Sequence, residues 1–298
     1  MSSRILSKAR TRLRGLLPVQ GSPPVSVSAP TPDNTPEARA LLEEVGRAPV
    51  WMHSLDLGHG VVTPGVRPAN DLRQAWNSME LPDLRGKSVL DIGAWDGWFS
   101  FEAERRGALR VVALDRYVWA LDWEAKRRYR RECNERGLAP EPYTLRPELF
   151  DYERLPGKYG FDLAHKIYNS DVEVVVADLM TADLEALGTF DIVLYLGGLY
   201  HMEEPLTALR RVRRLTKELA VVETAGVVVP GREETPLFRF YPPRDKLSGD
   251  PSNFWAPNLA GLKGMCEAAG FNRVEVATQG PAATGTIADC RLTVRAYA

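Results

Sequence analysis

The run Ser88-Val-Leu-Asp-Ile-Gly-Ala-Trp-Asp-Gly-Trp-Phe-Ser100 constrains this chain more than any other stretch. Val89, Leu90 and Ile92 are the apolar run of a buried strand, Gly93 and Gly97 permit a tight turn, and residues 99–106 read as a helix that Gly107 stops. A strand that turns sharply into a helix sets backbone N–H groups and an acid at the carboxyl edge of a parallel sheet. That edge suits a ligand carrying a nucleoside.

A glycine turn alone is weak evidence, and the strands after it carry the argument. Arg110-Val-Val-Ala-Leu-Asp115 ends in an acid, where a carboxylate accepts hydrogen bonds from ribose hydroxyls. Val174-Val-Val-Ala-Asp178 ends a third strand in another acid, and Phe190-Asp-Ile-Val-Leu-Tyr-Leu-Gly-Gly-Leu-Tyr-His201 runs as a fourth strand into a glycine-containing loop. In this pattern the chain resembles the class I methyltransferases that use S-adenosylmethionine, over about residues 84–298. The resemblance implies an α/β, Rossmann-like fold with a mostly parallel seven-stranded sheet, and S-adenosyl-L-methionine as cofactor. It puts Asp91, Gly93 and Gly97 around the methionine part, Asp115 on the ribose and Asp178 near the adenine amino group, with Trp95, Arg116, Leu179 and Leu196 among the cofactor-lining positions. Trp95 stands where the family has its middle glycine, so the backbone there cannot approach the ligand in the usual way and the indole walls the pocket.

Methyl transfer from a sulfonium is an in-line displacement that mainly requires the acceptor to be held roughly 3–3.5 Å away in line. A general base adds about 10²–10⁴-fold when the acceptor is a hydroxyl. Tyr200 and His201 fall just past the fourth strand, and a histidine titrates near neutral pH, so His201 reads either as that base or as a brace bonding loop carbonyls. Glu223, at the end of the fifth strand, is the reserve base. No Ser-His-Asp order, P-loop or His-Glu-x-x-His suggests another chemistry.

The formal net charge of −1 gives no global attraction to polyanions. Cys133, Cys266 and Cys290 lack Cys-x-x-Cys spacing, so neither a disulfide framework nor a metal site is expected, and the reading is cytoplasmic. No run of 18 apolar residues occurs, and Lys8, Arg10, Arg12 and Arg14 break the amino-terminal apolar stretch, so neither a membrane span nor a secretory signal is expected.

Residues 1–36 read as a basic, then proline-rich, flexible tail. Residues 37–83 form an extension over the active site, with a short helix at 37–45 and a strand pair with a glycine turn across 51–65. The domain proper is 84–298. Its insertion, 116–160, carries Tyr117, Trp119, Trp123, Tyr129, Tyr143, Phe150 and Tyr152 and reads as a lid or substrate wall, with the basic run 126–131 a solvated helix face. Helices are expected at 161–168 and 205–217, the latter with Ala208, Leu209, Val212 and Leu215 on one stripe, and a late helix within 253–270. The fifth strand is read at 219–223, and 273–278 and 290–296 form an antiparallel edge.

A narrower resemblance is to the bacterial tRNA wobble-uridine carboxymethyltransferases. It rests on Leu81-Pro-Asp-Leu-Arg-Gly-Lys-Ser-Val-Leu-Asp91, Gly198-Leu-Tyr-His201 with Pro205 and Leu206, and residues 253–270. Those enzymes use a carboxylated cofactor and hold its extra carboxylate with a lysine before the fold, the tyrosine of the Leu-Tyr-His motif and an arginine near the carboxyl end. Tyr200 matches, but His53 stands at the lysine position and Cys290, with Arg291 adjacent, at the arginine position, so plain S-adenosylmethionine is the expected donor. Methylation of a small molecule, a saccharide or natural product, at oxygen or nitrogen under the insertion is the leading reading. A tRNA-modifying enzyme is the second, and its mark would be a continuous basic surface of Arg127, Arg128, Arg130, Arg131 and the amino-terminal arginines. A noncatalytic cofactor-binding partner is third. A dehydrogenase is fourth, since the strand-end acids and the Leu-Tyr-His loop match methyltransferases better.

Overall fold

Apolar runs build the centre of the molecule as parallel strands, most of them buried on both faces and the edge strand over residues 173–176 largely exposed. They are β1 (Ser88–Ile92), β2 (Arg110–Asp115), β3 (Glu173–Val176), β4 (Phe190–Leu196) and β5 (Thr216–Val228). A small antiparallel pair, β6 (Phe238–Phe240) and β7 (Trp255–Pro257), follows, and then β8 (Arg273–Thr278) and β9 (Ala288–Tyr297). The computed structural model describes residues 31–242, 247–278 and 286–298. Its seven-stranded sheet has the order β3-β2-β1-β4-β5-β9-β8. β1 pairs in parallel with β2 on one side and β4 on the other, so the strand order reverses there and leaves a crevice beyond their carboxyl ends.

The helices are α1 (Pro36–Arg47), α2 (Ala69–Ser78), α3 (Trp98–Arg105), α4 (Tyr117–Ala120), α5 (Trp123–Glu135), α6 (Tyr159–Tyr168), α7 (Pro205–Leu215) and α8 (Leu259–Ala268). Their starts are chemically marked. Thr35 accepts from the Ala38 amide ahead of α1, Asp122 from the Glu124 and Ala125 amides ahead of α5, and Asn258 from the Gly261 amide ahead of α8. On one face of the sheet Val89, Val111, Ile192 and Val221 pack with Trp51, Trp76, Phe99, Phe101 and Phe161. On the other, Leu90, Val112, Val193 and Val294 pack with Leu209, Val212 and Leu262 of α7 and α8.

Several boundaries differ from the sequence reading. α7 stops at Leu215 because Thr216 and Lys217 already belong to β5. β5 continues to Val228 because β9 pairs with it from Leu219↔Tyr297 to Val228↔Ala288. The strand pair expected at 51–65 is only a set of isolated bridges, Asp56 to Val62 and His53 to Arg67. There the Thr63 hydroxyl takes the Leu55 amide (2.8 Å) and donates to the His53 carbonyl (2.8 Å), replacing part of a ladder with side-chain bonds. α2 and the β6–β7 pair were not anticipated. Residues 1–30 of the expected tail lie outside the described residues.

The insertion closes on itself. Leu121 bridges Phe150, the Asp122 amide donates to the Leu149 carbonyl (2.8 Å), and the Asp151 amide donates to the Ala120 carbonyl (2.7 Å). Leu121, Trp123, Tyr143 and Leu149 form its own apolar cluster. The reading of residues 126–131 as wholly solvated is corrected at one position. Lys126 is buried, because α5 turns it inward with Trp123 and Cys133 while Arg127, Arg128, Arg130 and Arg131 stay exposed.

The starts of three strands are locked by one carboxylate. Asp191 accepts from the Ser88 amide, the Ser88 hydroxyl and the Lys217 ammonium, each at 2.7 Å. The Lys217 bond and those from Ser88 hold its carboxyl well below the usual range. A depressed carboxylate stabilises the fold above its unfolded pKa of about 3.9 and loses that contribution as the pH falls through the folded value. Asp191→Ala is expected to cost about 1.5–3 kcal/mol in urea denaturation at pH 7. The deficit relative to wild type should begin to shrink below about pH 4 and go on shrinking toward about pH 2; a gap that is constant with pH would deny the carboxylate this role.

Candidate active site

The turn after β1 is built from left-handed residues: Gly93 (φ 83°), Trp95 (φ 53°) and Gly97 (φ 83°). The two glycines do different work. Gly93 is exposed, and a Cβ there would meet nothing within 4 Å, so it is an open cradle. A Cβ on Gly97 would come within 2.5 Å of the Phe101 ring and 2.8 Å of the Phe161 ring, so its smallness lets α3 pack. Trp95, a non-glycine in a region such residues seldom occupy, is held by its amide, its carbonyl and its ring face. Its amide donates to Asp115 Oδ2 (3.1 Å), its carbonyl accepts from Trp119 Nε1 (2.6 Å), and its indole stacks on Trp123 with ring centroids 5.5 Å apart. Asp96 points inward, accepting from the amides of Met52 (2.7 Å) and His53 (2.9 Å) and pairing with His53 Nδ1.

Asp91 accepts from the Ser100 hydroxyl of α3 (2.6 Å), and Asp115 Oδ1 accepts from the Val118 amide (3.0 Å). Both carboxyls are buried, and burial pushes each up to about 6 despite these bonds. Each Asp115 oxygen takes one amide and keeps a lone pair for a ligand hydroxyl. Asp178, just past β3, accepts from the Met180 amide (2.7 Å) and lies 3.7 Å from Arg116, whose guanidinium covers the Tyr152 ring at 4.2 Å. Leu179 is buried and Leu196 ends β4. Asp91, Gly93, Trp95, Asp115, Arg116 and Asp178 thus share the carboxyl edge of β1, β2 and β3. These residues suit a ligand with an adenosine and an amino acid part.

Across the crevice, β4 runs through Gly197 (φ 77°) into a one-turn 3-10 helix, Leu199–His201. The Tyr200 and His201 rings lie 4.2 Å apart, and the His201 Nδ1 bonds the Ser252 carbonyl at 2.9 Å. That partner only accepts, so Nδ1 carries the proton and Nε2 keeps its lone pair. Burial holds the imidazole below its ordinary pKa, so it is neutral at pH 7. Glu223 accepts from Arg291 Nε (2.7 Å) and stands 4.0 Å from Arg67. Burial opposes its ionisation, but the two guanidiniums outweigh burial and hold it below its ordinary value. That makes Glu223 a counter-ion, in place of the reserve base expected from the sequence.

Arg291, adjacent to Cys290, lies 5.2 Å over the Tyr200 ring. His53 is committed to Asp96. Arg67, Lys126, Asp250 and Ser252 had not been singled out. Lys126 left a signal, because Trp123, Lys126 and Cys133 fall on one helical stripe; Arg67, in a loop, left none. Among the described residues no cluster of His, Cys, Asp and Glu is arranged to hold a metal ion, and no helix is long and apolar enough to cross a membrane.

Residues 68–276 match the family described as "Methyltransferase domain". The tRNA U34 carboxymethyltransferase of Campylobacter lari is 30% identical over 199 residues, 66% of this chain and 54% of that protein. The enzyme of the same name from Actinobacillus succinogenes is 23% identical over 194 residues, 65% of this chain and 48% of its own. The chain therefore spans about half the length of the curated relatives it matches. Among solved structures, the N-terminal domain of EvdMO1, crystallised in the presence of SAH and D-fucose, superposes with a TM-score of 0.56 at 17% identity, covering 89% of this chain and 97% of that one.

The buried acids predict a pH dependence. With Asp91 and Asp115 near 6 in the free protein, a ligand that needs them charged must displace protons below that pH. Calorimetry with S-adenosylhomocysteine is expected to give an affinity that rises with pH up to about 6 and then levels, with proton release on binding only below that point. Affinity that is flat from pH 5 to 8 would remove both carboxylates from the ligand site.

Proposed function

Because this chain belongs to the Methyltransferase domain family, we propose that it transfers a methyl group from S-adenosylmethionine to an oxygen or nitrogen of a small-molecule acceptor, a saccharide or natural product, held beneath the insertion. The observation that carries the acceptor class is the wall around the turn. The Trp95 and Trp123 indole N–H groups and the Tyr143 hydroxyl are buried there without a hydrogen-bond partner among the described residues. Such donors are costly to leave unmade and match the oxygens of a hydroxyl-rich molecule. Of the arginines of α5, Arg127 donates to the Pro49 carbonyl (3.3 Å), Arg130 to that of Gly249 (3.4 Å) and Arg128 lies 3.7 Å from Glu124, but all three stay exposed and keep their charge, so they do not decide between the small-molecule and tRNA readings. The D-fucose present in the crystals of the EvdMO1 N-terminal domain accords with a sugar-like acceptor.

In this reading the cofactor supplies a methyl group activated on a sulfonium. Gly93 leaves room for its amino acid part beside Asp91, Asp115 takes ribose hydroxyls, Asp178 takes the adenine amino group, and Arg116, Leu179 and Leu196 line the pocket. His201, neutral and with Nε2 unprotonated, takes the proton of a hydroxyl acceptor. Tyr200 packs on His201, while Glu223 neutralises Arg291 beside it.

The tRNA reading is favoured by one observation besides the relatives' names. Arg291 and Arg67 bring two positive charges to Tyr200 and Glu223, where a carboxylated donor would need them. Glu223 cancels one of these charges and His53 is committed to Asp96, so plain S-adenosylmethionine is expected to win a direct binding competition. Preference for the carboxylated donor would move the assignment to tRNA.

Incubation with methyl-labelled cofactor and fractionated cell extract tests the acceptor: label is expected in low-mass metabolites, and label in RNA sinks the small-molecule proposal. Asp115→Ala should weaken S-adenosylhomocysteine binding by about 1.5–3 kcal/mol, roughly 10- to 100-fold. His201→Ala should lower kcat with cofactor affinity kept, whereas a parallel fall in both would mark His201 as a brace.

A further inference from the structure

Beside His201 lies a buried polar chain that the reading above does not use. Lys126 of the insertion is 9% exposed, with its ammonium 4.2 Å from the Tyr143 ring centroid and 4.8 Å from that of Trp123. It stands 3.6 Å from Asp250 Oδ2. Asp250 is 5% exposed, and its other oxygen accepts from the Ser252 amide (2.9 Å) and the Ser252 hydroxyl (2.5 Å). The Ser252 carbonyl is the group that holds His201 Nδ1. Stability alone does not call for such an arrangement, since burying two ions is costly and apolar side chains of similar volume often serve as well.

We propose that Lys126, Asp250 and Ser252 are positioning residues for His201: the Ser252 carbonyl fixes the tautomer with Nε2 free, and Asp250, restrained by Lys126, is the counter-charge for the imidazolium formed when His201 takes a proton. This rests on the reading of His201 as the base. In that step the acceptor O–H bond breaks and its proton goes to Nε2. The oxygen forms the new C–O bond as the methyl C–S bond breaks, and the departing electron pair stays on sulfur.

The charges around His201 explain why Asp250 is needed. Burial, Lys126 and Arg291 disfavour the imidazolium, while Asp250 and the Ser252 carbonyl favour it. The cations keep the resting imidazole neutral and ready to accept a proton. Asp250 lies within their reach and keeps proton uptake from becoming prohibitive. Its ionisation is opposed by burial but restored by Lys126, His201 and the Ser252 bonds, which hold it below its ordinary value.

Nitrogen-15 NMR of the full chain with saturating S-adenosylhomocysteine tests this without the acceptor. The chain has four histidines, and His201→Gln identifies the signal to follow. Wild type is expected to hold the Nδ1–H tautomer at pH 7. Asp250→Asn should shift the His201 titration to lower pH, and Lys126→Met should shift it to higher pH, with thermal unfolding checking that each variant folds. An Nε2–H tautomer in wild type, which needs no variant, overturns the proposal, as does a titration that neither substitution moves. The two readings fail separately: wild-type turnover in His201→Gln ends the base assignment, whereas an unmoved titration ends the positioning role of Asp250 and Lys126.

Discussion

The geometry of the site rests on the inward turn of Asp96. Its carboxylate takes the Met52 and His53 amides and the His53 ring, which clamps the segment before the sheet against the left-handed turn. The clamp reaches further through the backbone. His53 bridges Arg67, the Arg67 amide donates to the Met52 carbonyl (2.7 Å), and Arg67 then lies 4.0 Å from Glu223. Glu223 holds Arg291, and Arg291 covers Tyr200. One line of backbone bonds and ion pairs therefore joins the turn at β1 to the loop after β4. A side chain at position 96 that accepted fewer bonds would loosen both halves together.

The same crevice is expensive for the fold. Asp91 and Asp115 are pushed up to about 6, so the unfolded chain releases their protons first as the pH rises from about 4. Their contribution to stability thus falls between about pH 4 and 6 and is at its lowest at neutral pH. Acids kept in such a place are unfavourable for the empty protein and useful only to something that bonds them.

Much of this was legible in the sequence because strand ends carry two signals at once, an apolar run and the acid that stops it. β1, β2 and β4 and the acids Asp91, Asp115 and Asp178 were read for that reason, as was the antiparallel edge of β8 and β9. What escaped was decided at a distance. Thr63 replaces ladder bonds with its own hydroxyl, so alternating residues near it did not become strands. Lys126 sits in a run of arginines, and charge counting hides the one member that helical spacing turns inward. Arg67 and Asp250 act through partners far away in the chain, Glu223 and Lys126, and no local pattern announces them.

The closure of the insertion has an evolutionary consequence. Leu121 and Phe150 are paired, so the chain leaves and re-enters the fold at one point, and Gly157 fits against the Val118 carbonyl, where a Cβ would approach to 1.9 Å. A loop with joined ends can lengthen, shorten or be exchanged while strand register is untouched, since closure entropy grows only with the logarithm of loop length. The residues between 121 and 150 are in that sense a cassette, which a lineage can remodel so long as the Trp123 stack on Trp95 and the Lys126 pair with Asp250 are kept.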